Sequence, residues 1–420
     1  MLMNDSNLEN ALQKQHNETY YTALQLEYSN RAGVFLSPFE YKKLLEYKES
    51  IASVDNPYVK LIPLPAFNSK CLYYSNCNEL NYLLDTYIEV AEYNLELSNK
   101  YSSSFKTSRI YSEIEGSLNV ESVPTTRRRM KELLEENAAS ENVNDIIIKN
   151  MKAGIDFVEN KPEFNSDNLF KLYSLLSDDC LSEESKLNPG DYYRYDTVEI
   201  AQYHGCPVDQ IETNMNALFR FVEDTLEHHQ FKELLLLPHI CHYYILYIHP
   251  YFDFNGRCAR MVSYWIYLLS GIESFVPIIS EAINQTKPQY YKAIEHSRDA
   301  HNDLTYFFIY LLKISIDYIL CYHNLSHLEM VAKNNGVILT ETELNYLKKI
   351  LISYQGPFNY SDFLKMAGIS ISKQGALKIL NKFTSLEILK EASSSSKSKL
   401  FTLNKEVIPY MFKEFGFRQS

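Results

Sequence analysis

The stretch that decides the fold reads Ile248-His249-Pro250-Tyr251-Phe252-Asp253-Phe254-Asn255-Gly256-Arg257-Cys258-Ala259-Arg260. It lies between two segments, 234–248 and 258–269, whose apolar residues have helical spacing. Asn-Gly before a helix start leaves backbone N–H groups free, and such a helix N-terminus binds anions. Arg257 and Arg260 are three residues apart and can therefore both face that anion, with guanidinium groups suited to phosphate oxygens.

Two further residues of the stretch suit group transfer from a nucleoside triphosphate. Asp253 is placed to hold Mg²⁺, which prefers one or two carboxylates together with substrate oxygens. His249, at the end of the preceding helix, can take the proton of an incoming hydroxyl. Taken singly, a His-Pro pair, an Asn-Gly turn or an arginine has an ordinary structural explanation. Their combination in one short stretch indicates a phosphate site.

The stretch resembles the signature of the Fic family, His-Pro-Phe-x-(Asp/Glu)-Gly-Asn-(Gly/Lys)-Arg-x-x-Arg. The matching positions are His249, Pro250, Asp253, Asn255, Gly256, Arg257 and Arg260, with Tyr251 in place of Phe. The similarity extends over roughly residues 60–320, and includes His242, the segment 150–153 and Tyr290-Tyr291. The resemblance implies a mainly α protein with a Fic helical core and a small β-hairpin flap.

The resemblance also implies a reaction. Fic enzymes mostly transfer AMP from ATP, with Mg²⁺ present, to a Ser, Thr or Tyr hydroxyl of a target protein. By resemblance, His249 is the catalytic base and Asp253 is the metal ligand. The groups that would bind ATP and its phosphates are Asn255, Gly256, Arg257, Arg260, Tyr290 and Tyr291.

One segment breaks the helical pattern. Residues 192–207 are rich in β-branched and aromatic side chains, and they end in His204-Gly205 and Pro207, which predicts a short β-hairpin. The hairpin lies where the Fic family has its flap. The resemblance implies that residues 196–206 hold a segment of the target protein by strand addition.

Phe254 is the one departure from the signature, because it stands where the family has the first Gly of Gly-Asn-Gly. If that position requires a positive φ, Phe costs about 1–2 kcal/mol. A bulky ring there can also crowd the phosphates. The sequence therefore predicts that Phe254→Gly raises transfer activity.

A second motif indicates self-inhibition. Tyr111-Ser112-Glu113-Ile114-Glu115-Gly116 resembles the family's inhibitory helix motif, (Ser/Thr)-x-x-x-Glu-(Gly/Asn), with Tyr111 in place of the small residue. The resemblance implies that Glu115 pairs with Arg260 and obstructs the seating of the γ-phosphate. A carboxylate placed there competes with phosphate for one guanidinium.

The predicted domain organisation has four parts. A polar and extended segment covers 1–70, a helical region with the inhibitory motif covers 71–160, and the Fic catalytic core covers 161–330. Residues 331–420 read as three helices followed by a hairpin, the order of a winged helix-turn-helix. This last part holds 13 Lys and Arg against 7 Asp and Glu, so we expect DNA or a protein as its partner.

The whole chain of 420 residues has a net charge of −12, which argues against nucleic-acid or membrane binding as its main role. Seven Cys without a CxxC pair indicate a reducing compartment. The first residues lack a signal-peptide pattern, and we expect a cytoplasmic protein. We expect no membrane association, and the sequence leaves a homodimer open.

Two other functions fit the same residues. One is a DNA-binding regulator in which a degenerate Fic core senses nucleotide, an alternative that Phe254 keeps open. The other is a Fic enzyme that uses another donor or removes AMP.

Overall fold

The computed structural model describes residues 9–13, 38–98, 103–200, 203–228, 231–271, 279–354, 356–392 and 399–408. Within these ranges the chain is mainly helical, and its strands form three separate two-stranded antiparallel sheets. The predicted fold class, a mainly α protein with small hairpins, is confirmed.

The elements that precede the signature stretch follow in this order: α1 (Pro38–Ile51), β1 (Val59–Ile62), β2 (Leu72–Ser75), α2 (Asn78–Ser98), α3 (Ser103–Val120), α4 (Arg127–Leu134), α5 (Val143–Glu159), α6 (Ser166–Ser177), β3 (Glu199–Ile200), β4 (Tyr203–His204), α7 (Val208–His228) and α8 (Phe231–Ile248). After it come α9 (Asn255–Leu269), α10 (Ile279–Gln285), α11 (Lys287–Asp299), α12 (Thr305–Asn334), α13 (Glu341–Ser353), α14 (Tyr360–Ala367), α15 (Lys373–Ser385), β5 (Leu389–Ala392) and β6 (Leu400–Leu403).

Helix α1 corrects the expected extended segment at the N-terminus. Pro38 opens the helix, and Pro suits a first helical position because its N–H would be unpaired there. Glu40 in the first turn and Lys48 in the last turn complement the helix dipole. The prolines at 57, 63 and 65 lie beyond the helix and do not interrupt it.

The chain divides into two compact units. The first comprises residues 1–89 and 109–314, and the second comprises 90–108 and 315–420. The boundary between residues 314 and 315 falls inside α12. The four predicted domain ranges stay predictions.

Helices α8 and α9 form the centre of the first unit, and they pack along one another with α5 and α7 beside them. Helix α8 is buried along most of its length, from Leu234 to Ile248. Such a helix belongs to the interior of a protein. The signature stretch therefore connects two core helices, whose packing fixes its ends.

In the second unit, α13, α14 and α15 precede the antiparallel pair β5–β6, in which Leu389 lies opposite Leu403. Thr340 and Asn359 form capping boxes that begin α13 and α14. On α15, Lys382 donates to Glu343 of α13 at 2.5 Å, so it is engaged within the protein. The assignment of this unit as a winged helix-turn-helix stays a prediction, and residues 393–398 of its predicted hairpin lie outside the described residues.

Among the described residues, only the helix Thr305–Asn334 is long and apolar enough to cross a membrane by these two criteria. Of its most apolar window, 83% is buried inside the protein. Burial of that extent is typical of a core helix.

Candidate active site

The loop between α8 and α9 begins and ends at residues with a left-handed backbone conformation. His249 has φ 54° and Phe254 has φ 66°. The His249 amide still donates to the Ile245 carbonyl at 2.9 Å, and Pro250 prevents the helix from continuing. Such conformations are costly for residues other than Gly and persist where the surroundings enforce them, often at functional sites. The loop that carries the predicted base is therefore held in a specific conformation.

Arg194 joins this loop to the predicted hairpin. Its side chain is almost completely buried and donates from Nε to the His249 carbonyl at 2.8 Å and from Nη1 to the Asp196 carbonyl at 2.7 Å. Its Nη2 donates to the Cys206 carbonyl, and its amide donates to the Pro250 carbonyl at 2.9 Å. One buried guanidinium thus connects the start and the end of the hairpin segment to the backbone of the loop between α8 and α9.

The hairpin itself is formed, because β3 and β4 pair with Glu199 opposite His204 and Ile200 opposite Tyr203. The base of the hairpin, at Gly205, contacts the loop between α8 and α9. A Cβ on Gly205 would lie 2.9 Å from the Arg194 Nη2 atom and 3.4 Å from the Cβ of His249. A larger residue at 205 would therefore push the hairpin away from the histidine.

His249 is electrically suited to accept a proton. The pKa of its imidazole is lowered to about 4, mainly by burial and also by the nearby charges of Arg194 and Arg298, against the opposing effect of a hydrogen bond to Leu246. The ring is therefore neutral at pH 7, which is the state that a general base requires.

Asp253 and Asn255 shape the start of α9. An Asp253 carboxylate oxygen accepts the Phe254 amide at 2.6 Å. The Asn255 side chain accepts the Tyr251 amide at 3.0 Å and donates to the Tyr251 carbonyl at 2.8 Å. Asn255 therefore fixes the loop through its side chain. The predicted anion contact can come only from its backbone, because both functions of the side-chain amide are engaged.

Arg257 lies beneath the ring of Phe254, with its guanidinium carbon 3.5 Å from the ring centroid. Both side chains are buried. The Nε and Nη1 atoms of Arg257 are buried without a hydrogen-bond partner among the described residues. A buried cationic donor without an acceptor is costly, and such groups call for an anion.

Arg260, one turn later, has a carboxylate and a hydroxyl of the protein as partners. Its Nη2 donates to a carboxylate oxygen of Glu121 at 2.8 Å, and its Nε and Nη2 both reach the Ser117 hydroxyl, at 3.2 and 3.1 Å. Ser117 lies near the end of α3 and Glu121 directly follows that helix, four residues later. At this spacing both side chains lie on the same side of the helix.

Glu121 also lies against the first turn of α9. A Cβ on Gly256 would lie 2.6 Å from the Glu121 Oε1 atom and 3.3 Å from the Arg260 Nη1 atom. Burial alone would raise the pKa of Glu121, but Arg260 and, to a smaller extent, Arg257 and Lys287 outweigh burial and hold the pKa below its usual value. A carboxylate of this protein thus occupies the anion position that the sequence places at the start of α9.

Comparison with known proteins agrees with this architecture. Residues 163–267 match the sequence model of the Fic/DOC family. The chain contains a Fic/DOC family domain. A crystal structure of a Fic family protein from Desulfovibrio desulfuricans G20 aligns with a TM-score of 0.50 at 19% identity, over 79% of this chain and 98% of that chain. At that identity the similarity concerns the fold alone.

Two other solved structures are similar over part of the chain. Fic-1 (residues 134–508) from C. elegans has a TM-score of 0.45 and 18% identity, and covers 58% of this chain and 72% of its own. A Fic domain containing signaling protein from Bacteroides thetaiotaomicron VPI-5482 has a TM-score of 0.44 and 17% identity, over 63% and 99%. None of the curated proteins compared with the chain matches it.

The expected partner of Glu115 is wrong. Its carboxylate accepts from Arg127 Nε at 2.9 Å, whereas Arg260 of the Fic domain pairs with Glu121. The reason is helical geometry: six residues at about 100° each rotate by about 600°, so the directions of Glu115 and Glu121 differ by about 120° around the helix axis. Gly116 faces a third direction and packs against α10, since its Cβ would lie 2.5 Å from the Glu281 amide nitrogen.

Glu121 lies in a second segment of the sequence that resembles the inhibitory motif. Ser117-Leu118-Asn119-Val120-Glu121 has the same Ser-x-x-x-Glu spacing as the inhibitory motif. It is followed by Ser122, which has φ 60°, where the motif has Gly or Asn. Gly and Asn adopt that backbone most readily. Arg194 was not predicted as a site residue, because it lies in the hairpin segment and belongs to no recognised motif.

The two predicted nucleotide-binding tyrosines differ in exposure. Tyr290 is buried, and its hydroxyl lies 2.8 Å from Nε2 of His242. Tyr291 is 41% exposed. The ring centroids are 5.3 Å apart. Burial raises the pKa of both hydroxyls, and the charge of Arg260 partly offsets that rise. Both tyrosines therefore lie near the arginine that is paired with Glu121.

Asp253 fits the role of a single Mg²⁺ ligand. Its side chain is exposed and has no ion pair among the described residues, and only Oδ1 is engaged, with the Phe254 amide. No group of three or more metal-binding side chains occurs among those residues. One carboxylate with an open side is the donor set that Mg²⁺ takes when substrate phosphates and water supply the other ligands.

Proposed function

We propose that this chain is a self-inhibited protein adenylyltransferase, which moves AMP from ATP to a Ser, Thr or Tyr hydroxyl of a target protein. The observation that carries the proposal is the position of Glu121, an anionic group held between Arg260 and Gly256 at the start of α9. A site that binds its own carboxylate in this way suits a phosphate. The Glu121 carboxylate then competes with phosphate for the same site.

The reaction assigns a separate task to each part of the site. The oxygen of the target hydroxyl bonds to the α-phosphorus of ATP, the bond from that phosphorus to the bridging oxygen breaks, and pyrophosphate leaves. His249 takes the hydroxyl proton, which its neutral ring can accept at pH 7. Arg257 and Arg260 hold phosphate oxygens, and Mg²⁺, held by Asp253 when bound, offsets phosphate charge.

In this proposal Glu121 is the inhibitory carboxylate. ATP that seats its phosphates on Arg260 must displace it, and the two anions cannot share one guanidinium edge. The hairpin β3–β4 presents the target segment to His249, and Arg194 sets the distance between them. Glu115 has no part in this inhibition, because its partner is Arg127.

The test compares two substitutions on the same helix end. The full-length chain is incubated with Mg²⁺ and labelled ATP, and adducts with the mass of AMP less water are measured. We expect Glu121→Gly to raise auto-modification by about tenfold or more, since the displaced anion corresponds to roughly 1.5–3 kcal/mol. Glu115→Gly is the matched control and should leave it near the wild-type level.

The Glu121→Gly, His249→Ala double variant should lose the adduct. No gain on Glu121→Gly would refute the inhibitory role. No adduct in any variant, with ATP binding intact, would favour the alternatives: a nucleotide-sensing regulator, or an enzyme with another donor or one that removes AMP. For the regulator, a salt-dependent shift of DNA by the full-length chain is the distinguishing measurement.

A further inference from the structure

Phe254 occupies a backbone position that is unfavourable for it. Its φ of 66° and ψ of 4° lie in the left-handed region, where a side chain with a Cβ costs about 1 kcal/mol or more relative to Gly. Its amide is held by Asp253, and its carbonyl accepts the Cys258 amide at 2.9 Å, so the loop enforces this conformation. The side chain of Phe254 must therefore make a contact that offsets this conformational cost.

The gain is the contact with Arg257. The aromatic ring covers one face of the guanidinium at 3.5 Å, and both side chains are at least 93% buried, with 3% and 7% exposure. Because all guanidinium N–H bonds lie in the plane of the group, a ring on its face leaves their directions free for an acceptor. Nε and Nη1 have no acceptor among the described residues.

We propose that Phe254 is a positioning residue that stacks on Arg257 and fixes the plane of its guanidinium for a polyphosphate. The inference rests on the proposed function, because it gives Arg257 a phosphate to bind. Without the ring, the Arg257 side chain can adopt more rotamers and is more accessible to water. Ligand binding must then order this side chain, which costs conformational entropy and lowers affinity. Phe254 therefore acts through Arg257 and does not itself touch the reacting atoms.

This inference reverses the expectation from sequence. If the ring crowds the phosphates, Phe254→Gly improves binding. If the ring orients Arg257, the same variant weakens it, even though Gly relieves the backbone strain. One substitution thus separates the two interpretations by the sign of its effect.

The experiment measures binding by calorimetry in the full-length Glu121→Gly protein, so that the inhibitory carboxylate does not compete. The probes are inorganic triphosphate and, as a control without phosphate, adenosine. We expect Phe254→Gly to weaken triphosphate binding by about tenfold, which corresponds to about 1.4 kcal/mol, and to leave adenosine binding unchanged. Phe254→Tyr keeps the ring and should retain affinity to within about twofold.

A double-variant cycle with Arg257→Gln tests whether Phe254 affects triphosphate binding through Arg257. In the Arg257→Gln background, Phe254→Gly should change triphosphate affinity by about twofold or less, because the group that the ring orients is absent. Should Phe254→Gly fail to fold, Phe254→Leu replaces it, since Leu keeps apolar volume without an aromatic face. Its expected loss is severalfold.

Tighter or unchanged triphosphate binding by Phe254→Gly would overturn the inference. So would a loss that persists undiminished in the Arg257→Gln background, or the absence of triphosphate binding in the Glu121→Gly protein itself. The proposed function fails separately: if no variant transfers AMP but the order of triphosphate affinities holds, the role of Phe254 stands and the adenylyltransferase assignment does not.

Discussion

Arg257 and Arg260 lie one turn apart on α9, and their surroundings differ. Arg260 has a carboxylate and a hydroxyl from the end of α3 on its guanidinium. Arg257 has an aromatic ring on its face, and two of its nitrogens have no acceptor among the described residues. Arg260 is thus paired with a carboxylate of the protein, whereas two nitrogens of Arg257 lack an acceptor among the described residues.

This difference indicates how the site can be folded and still ready for a ligand. The pair at Arg260 contributes to the folded state because removing Glu121 would leave the buried charge of Arg260 without its carboxylate partner. The ring at Arg257 keeps that side chain buried without neutralising it. Without a ligand, Arg260 therefore contributes more to the stability of the fold, whereas Arg257 keeps donors free for a ligand.

The largest expected effect follows from removing each arginine in turn. Arg260→Gln should lower the free energy of unfolding by about 3 kcal/mol, because Glu121 and Ser117 lose their buried partner. Arg257→Gln should lower it by about 1 kcal/mol or less, since no carboxylate loses a partner. Urea denaturation of both variants measures the two values. Equal losses would show that the distinction between the two arginines is wrong.

A second prediction concerns Glu113, on α3 two turns before Glu121. Its carboxylate accepts the Ser280 amide at 3.0 Å. Burial raises its pKa to about 7, hydrogen bonds to Ser280 and the charge of Arg260 oppose that rise, and Glu281 adds to it. The folded protein therefore holds a proton that the unfolded chain releases near the ordinary Glu pKa.

The sign of the pH dependence follows from that proton. Because the folded pKa is raised, stability is lost as pH increases from about 4.5 through about 7. Glu113→Gln keeps the acceptor without the charge, and should raise the free energy of unfolding by about 2 kcal/mol at pH 8 and by little at pH 5. Urea denaturation at both pH values tests this, and a gain of equal size at both would exclude titration as its cause.

The smallest effect is expected at Lys287, which donates to the Ser122 hydroxyl at 3.2 Å and adds positive charge beside Glu121. Lys287→Ala should weaken the hold on the inhibitory carboxylate and raise auto-modification by about two- to threefold. Lys292→Ala, an exposed lysine on the same helix, is the control. The increase should vanish in the Glu121→Gly background, and an increase that persists there would place Lys287 in a different role.

Much of this site could be read from the sequence because its signals are local. The spacing of apolar residues gave α8 and α9, and the composition of residues 192–207 gave the hairpin, which the pairing of Glu199 with His204 confirms. The family's Gly at position 254 raised the question of a positive φ there, and Phe254 has φ 66°. Each of these depends on neighbours within a few residues.

The remaining features depend on how separate elements meet. Whether Glu115 or Glu121 reaches Arg260 is decided by the rotation of α3 about its axis, which the contact of Gly116 with the Ser280–Glu281 backbone sets. The engagement of Arg194 with the carbonyls of His249 and Cys206 joins residues 55 and 12 positions away. No motif in a single sequence records such contacts.

Helix α9 also carries the one tryptophan of the chain, Trp265. Its indole is fully buried, donates to the Pro162 carbonyl at 2.9 Å and meets the ring of Phe164 edge-on at 5.0 Å. Light absorbed by tryptophan alone therefore reports on a single place, the helix that holds both arginines. The protein has a built-in fluorescent reporter, with which displacement of Glu121 by a nucleotide can be followed in real time without any added label.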